Sequence, residues 1–273
     1  MNGRVSPRLV LGILLCFYLL PARAGDILLL GVQDYNQSPI LVVREYMGLT
    51  RYLGRELGRQ VRVESVRDYD EYLKKAAARR FAFLFAPPSM IMQAHRLAGY
   101  EPIAKIPGLL SASFMSLASS GIAFPEDMKG KRIGFTDKES MITELGLAQL
   151  AKMNIDPAKY FKSVTYYHDA DGVLSALQYH LIDIGVANSG LFNAWTAKGY
   201  DINLVLQGKG VPHMTFAVRD DLPKGMKERV AKALLKADRD PDAEKFFKYS
   251  SFPNFEPATL RDYDGLVSIL HLK

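Results

Sequence analysis

Short apolar runs rich in β-branched and aromatic residues alternate, almost without interruption, with stretches whose apolar positions recur at helical spacing, and this limits the possible folds most. Candidate strands are Ile27 to Val32, Val61 to Val66, Phe81 to Phe85, Arg132 to Thr136, Val164 to Tyr167, Ile182 to Val186, Ile202 to Leu206 and Met214 to Val218. Between them lie helical stretches at Ile40 to Leu57, Asp70 to Arg79, Ser140 to Met153, Gly172 to His180 and Gly225 to Ala237. Strands alternating with helices bury their apolar faces best as parallel sheets covered by helices on both sides. The class is α/β, and a length of 273 residues suits two domains or one large one.

No long polar linker separates two halves, so the chain is expected to cross between lobes. Ala112 to Ser120 is an extended run of small and apolar residues; Gly208 to His213 is rich in Gly and Pro and precedes another strand. Two such crossings let the chain leave one α/β lobe, build a second, and return. The expected limits are residues 25–115 and 209–273 for the first lobe and 116–208 for the second. In open α/β sheets, ligands bind beyond the carboxyl ends of the strands.

The N-terminus reads as a secretory leader. Arg4 and Arg8 precede an apolar run from Leu9 to Leu20, and Ala22-Arg23-Ala24 forms a small-residue cleavage pattern before Gly25. The run is well short of the ~20 residues a spanning helix needs. Cleavage after Ala24 predicts an exported, periplasmic protein. It also removes three of the 35 basic residues and none of the 29 acidic ones, so the net charge falls from +6 to +3. Little argument then remains for a nucleic-acid partner. The single cysteine, Cys16, lies in the leader and lacks the small residues that precede a lipidated cysteine, so disulfides, thiolate metal sites and a cysteine nucleophile are excluded after cleavage.

Candidate ligand contacts sit where strands meet helices. His168-Asp169 follows one strand: His168 can donate to a ligand, and Asp169 can cap the next helix. Thr136 to Ser140 follows another strand and opens a helix whose backbone N–H groups, with Ser140 and Thr143, could receive an anion. Asp137 and Glu139 fit ordinary capping there equally well, and Glu139 and Glu144 would repel an anion. Ser89, after Ala86-Pro87-Pro88, can cap a helix containing Met90 and Met92 or touch a ligand, the cap being the commoner role. Tyr35 and Asn36, and Asn188 and Ser189, occupy equivalent strand-end loops.

Enzyme signatures are absent. No G-x-S-x-G, Gly-rich phosphate loop or H-E-x-x-H occurs, and His95, His168, His180, His213 and His271 have no ligand-pair spacing. No cofactor or metal is expected. An enzyme on the same two-lobed fold would need a positioned base, for which His168 beside Asp169 is the one candidate.

Several segments taken in order resemble the phosphonate/phosphite-type periplasmic substrate-binding proteins of ABC importers. They are Tyr46-Met47-Gly48-Leu49-Thr50-Arg51-Tyr52-Leu53, Leu57-Gly58-Arg59-Gln60-Val61, Phe83-Leu84-Phe85-Ala86-Pro87-Pro88, Asp127-Met128-Lys129-Gly130-Lys131-Arg132-Ile133, Asn154-Ile155-Asp156-Pro157, His168-Asp169 and Val218-Arg219-Asp220-Asp221-Leu222-Pro223. The resemblance implies a two-lobed type 2 periplasmic binding fold that closes on a small ligand, and it implies that His168 is a ligand donor. Two departures matter. Where relatives that grip an oxyanion carry a Ser-Thr-Ser-Gly run, this chain has Glu139-Ser140-Met141-Ile142-Thr143. Where an aromatic is often found, it has Ser89, Met90 and Ile91. The expected ligand is therefore a neutral or zwitterionic solute with an apolar part rather than a tightly held phosphate or phosphonate, contacted by Tyr35, Ser89, Ser140, Met141, Thr143, His168 and Asn188. The protein is expected to act as a monomer with an ABC permease or, as the alternative, a membrane sensor such as a histidine kinase.

Overall fold

The computed structural model describes residues 27–33 and 38–270. The leader, Tyr35, Asn36 and His271 lie outside them. The first lobe begins with β1 (Leu28–Gln33), α1 (Pro39–Leu57), β2 (Val61–Val66), α2 (Tyr69–Ala77), β3 (Phe83–Ala86), α3 (Pro88–Ala98) and β4 (Glu101–Lys105). A short strand, β5 (Leu109–Leu110), leads into the second lobe, built from β6 (Ala112–Leu117), β7 (Arg132–Phe135), α4 (Met141–Lys152), α5 (Pro157–Tyr160), β8 (Ser163–Tyr166), α6 (Ala170–Gln178), β9 (Ile184–Asn188), α7 (Ser189–Ala197) and β10 (Ile202–Gln207). The chain returns through β11 (Val211–Pro212) and completes the first lobe with β12 (Thr215–Val218), α8 (Lys224–Leu234), α9 (Glu244–Ser250), β13 (Glu256–Pro257) and α10 (Asp264–Ile269).

The local chemistry of α1 illustrates how these elements form. Ser38 accepts a hydrogen bond from the Leu41 N–H, Pro39 occupies the first turn where its missing donor costs nothing, and Gly58 at φ 63° ends the helix. Val42, Tyr46, Leu49 and Leu53 fall on one face and are buried. That face meets an aromatic cluster around the fully buried Phe85, whose ring centroid lies 5.9 Å from Tyr46, 6.0 Å from Phe246, 6.2 Å from Phe252 and 5.8 Å from Phe255. Gly48 permits the closest approach. A Cβ there would sit 2.1 Å from the Asp242 carbonyl oxygen.

The first sheet has the order β13-β4-β12-β3-β1-β2 and the second β10-β6-β9-β7-β8. The sheets are mixed rather than parallel. β1 pairs in parallel with β2 and β3, and β7 with β8 and β9. β12 runs antiparallel to β3 and β4, and β6 antiparallel to β9 and β10. The antiparallel members β6 and β12 are the strands that enter a sheet directly from a crossing.

The first crossing lies earlier than expected. Ala112 to Leu117 is a strand inside the second sheet, with Ala112 opposite Asn188 and Leu117 opposite Ile202. A lobe limit between residues 115 and 116 would cut this strand, so the change of sheet falls near Ser111. The strand has partners on both edges and its residues from Ala112 to Ser116 are buried, so it lacks the polar alternation that marks a one-sided strand. The chain leaves the second sheet after Gln207 and enters the first at Thr215, with β11 between them. Between the lobes the two crossings pair with each other: β5 and β11 form an antiparallel ribbon, Leu110 opposite Val211 and Leu109 opposite Pro212. No described helix is long and apolar enough to cross a membrane.

Candidate functional site

A cavity of about 300 Å³ opens between the lobes at the carboxyl ends of β3, β7, β8 and β9. The first lobe contributes Tyr69 and Pro87, and the crossings contribute Leu110, His213 and Met214. The second lobe supplies Thr136, Ser140, Met141, Ile142, Asp169, Ala170, Asn188 and Leu191. No lysine or arginine is among the described residues that line it.

Three helices of the second lobe begin at this cavity, and each is capped by its own side chain. Ser140 accepts from the Thr143 N–H at the start of α4, Asp169 from the Gly172 N–H at the start of α6 at 2.8 Å, and Asn188 from the Gly190 N–H at the start of α7 at 2.7 Å. Groups that an anion would otherwise use are thus partly taken. The hydroxyls are taken as well. Thr136 Oγ1 lies 2.6 Å from Ser140 Oγ, Ser140 Oγ lies 3.1 Å from Thr143 Oγ1, and Thr143 Oγ1 lies 3.2 Å from the Thr136 carbonyl oxygen. If Thr136 donates to Ser140, Ser140 to Thr143 and Thr143 to the carbonyl, all three hydroxyl protons are spent within the turn. Asp169 adds a carboxylate at the start of α6, on the lining of the cavity, where it opposes an anion.

Of the residues expected from sequence, Ser140, Met141 and Asn188 line the cavity, while Thr143 lies behind Ser140 with no exposed surface. Ser89 is buried in the first turn of α3, and its hydroxyl donates to the Glu144 carboxyl rather than facing the cavity. His168 is not a lining residue: its side chain is 63% exposed, with Nδ1 3.6 Å from Asp169 Oδ2. Asp169, its neighbour, takes the inward position. Glu144, expected to oppose an anion, faces away and borders a separate cavity behind α4. Tyr35 lies outside the described residues.

Sequence reasoning missed His213. It ends the second crossing, and a segment that passes between lobes borders their cleft, which was the available signal. Burial pushes its imidazole down to about 4. The Met214 N–H donates to Nδ1 at 2.7 Å, and the ring packs edge-on against Phe252 at 5.6 Å. The Thr215 hydroxyl donates to the His213 carbonyl at 2.9 Å and receives in turn from the Tyr263 hydroxyl at 2.8 Å.

A family model described as ABC transporter, phosphonate, periplasmic substrate-binding protein matches residues 35–263. The chain belongs to this family. It is accordingly a substrate-binding component of an ABC transporter, a periplasmic protein that holds a small molecule and works with a permease, and not an enzyme. Among solved structures, PhnD1 from Prochlorococcus marinus in complex with methylphosphonate superposes with a TM-score of 0.74 at 12% identity, covering 90% of this chain and 97% of the other. XAC2383 from Xanthomonas citri bound to ATP gives 0.74 at 15% identity, covering 90% and 96%. A binding protein component of an ABC phosphonate transporter, PA3383 from Pseudomonas aeruginosa, gives 0.68 at 16% identity, covering 89% and 85%. At these identities the likeness establishes the two-lobed fold of the binding protein and leaves its ligand open. No curated protein matches the chain.

Proposed function

We propose that this binding protein delivers a neutral or zwitterionic small molecule with an apolar part to its permease, and that it does not hold phosphate, phosphite or simple phosphonates tightly. The observation that carries this reading is the spent donor set of the cleft. Ser140, Asp169 and Asn188 cap the helices that would receive an oxyanion, the hydroxyls of Thr136, Ser140 and Thr143 satisfy one another, and no described lysine or arginine compensates. Leu110, Met141, Ile142, Leu191 and Met214 offer apolar contact. The protein reaches the periplasm through a leader removed after Ala24, and the ligand is enclosed as residues 28–105 with 215–269 approach residues 112–207.

Calorimetry of the mature protein with phosphate, phosphite and methylphosphonate tests the ligand class. Millimolar or undetectable binding is expected for all three, and a submicromolar dissociation constant for any of them overturns the reading. A thermal-shift screen against neutral and zwitterionic metabolites supplies the positive arm, since a true ligand at 100 times its dissociation constant stabilises by about 2.7 kcal/mol.

A further inference from the structure

We propose that His213 is the histidine through which this protein reads its ligand, presenting a fixed, uncharged Nε2–H donor to a hydrogen-bond acceptor held beside Met141 and Met214. The inference rests on the cavity between the lobes being the ligand site.

Three observations lead to it. The Met214 N–H donates to Nδ1 at 2.7 Å, which makes Nδ1 the acceptor and places the ring proton on Nε2. The ring is wedged against Phe252, and its backbone is tied through Thr215 to Tyr263, so its orientation is set before any ligand arrives. The described residues provide no partner for Nε2, although the residue lines the cavity. The residue is partly buried, and a donor left open to the cavity with no protein partner is available to a ligand that supplies the acceptor.

The charge state follows from the surroundings. Titratable groups at the cavity are Asp169 on α6 and Tyr69 on α2, and Tyr263 stands behind Thr215. None of these holds a proton on the imidazole at neutral pH, and burial keeps the ring neutral down to about 4. His213 is therefore a dipolar donor. It recognises a carbonyl, phosphoryl or ether oxygen without requiring negative charge, and its contribution stays constant across the periplasmic pH range.

Methylphosphonate and its neutral ester, dimethyl methylphosphonate, are suitable probes because they share a P=O acceptor and differ in charge. Long-range ¹H–¹⁵N spectra of the mature protein should place the His213 proton on Nε2 with no titration between about pH 5 and 8. Dimethyl methylphosphonate should move the Nε2 signal and leave His168 in place. His213→Asn keeps an acceptor for the Met214 N–H but lacks the cleft donor; it should weaken the ester about fivefold, which corresponds to one neutral hydrogen bond. His213→Gln, which returns a donor near the Nε2 position, should restore most of that loss. Equal affinity in His213→Asn, or a His213 signal that neither probe moves, overturns the assignment. Tight methylphosphonate binding that moves His213 would defeat the neutral-solute reading and leave the role of His213 standing. Ester binding that moves His168 instead would do the reverse.

Discussion

Glu144 lies one helical turn from the cleft, yet its environment differs from that of the exposed acids around it. One carboxyl oxygen accepts from Ser89 across the lobe boundary, and Oε2 is buried without a partner among the described residues. Burial holds its carboxyl above the usual carboxylate range, and the Ser89 hydroxyl offsets this in part. The sign of the pH effect follows. Below the ordinary value both folded and unfolded states carry a neutral group; as pH rises, the unfolded chain ionises first, so stability falls until the folded group ionises too. Glu144→Gln retains an acceptor for Ser89 and removes the ionisation. It should be more stable than wild type at pH 8, where the wild-type carboxyl must bear a charge in its buried site, and the gap should close at pH 4. Urea denaturation at both pH values measures it, and a variant less stable at pH 8 contradicts the account. At this scale the strand-end rule made the positions of Ser140, Met141 and Asn188 on the cavity wall legible, because it needs only a strand, a helix and the boundary between them. His213 was not legible in that way. Its role depends on a backbone N–H fixing its tautomer and on two distant lobes meeting over it.

Elements whose apolar pattern has a clear period were readable, and those buried on every side were not. The stretch read as Ile40 to Leu57 folds as α1 because its buried face is separated from its exposed one. β6 has neighbours on both edges and is buried from Ala112 to Ser116 on both faces, so its sequence carries no period to read. β4 escaped notice for a different reason: Glu101 and Pro102 are poor strand formers, and the strand is held by pairing with β12 and β13. Helix packing adds a demand that composition alone hides. Gly48 lies where α1 meets the backbone before α9, and a methyl group would have to displace the Asp242 carbonyl. Gly48→Ala should destabilise the protein by about 2 kcal/mol despite its better helix propensity, the overpacking cost exceeding the gain. A thermal melt of the variant checks it; a raised midpoint would mean that α1 and α9 are not in this contact.

At the scale of the whole molecule, the sequence revealed two lobes and two crossings but placed the first crossing a few residues late, inside β6. The lobes are expected to close about the ribbon of β5 and β11 when a ligand enters, since hinges are short segments that absorb the change in dihedral angles. Small-angle scattering of the mature protein, with and without a saturating ligand verified by calorimetry, should record a smaller radius of gyration in the bound state. An unchanged radius under verified binding would remove the hinge from these segments. The ribbon also restricts the kind of movement that is possible. Two independent tethers would let one body shear or swivel over the other, but here Leu110 is paired with Val211 and Leu109 with Pro212, and either motion would have to break those rungs. What survives is rotation about a single axis, so opening has one coordinate, and a spin-label distance taken between any two facing points on the rims should report the same angle.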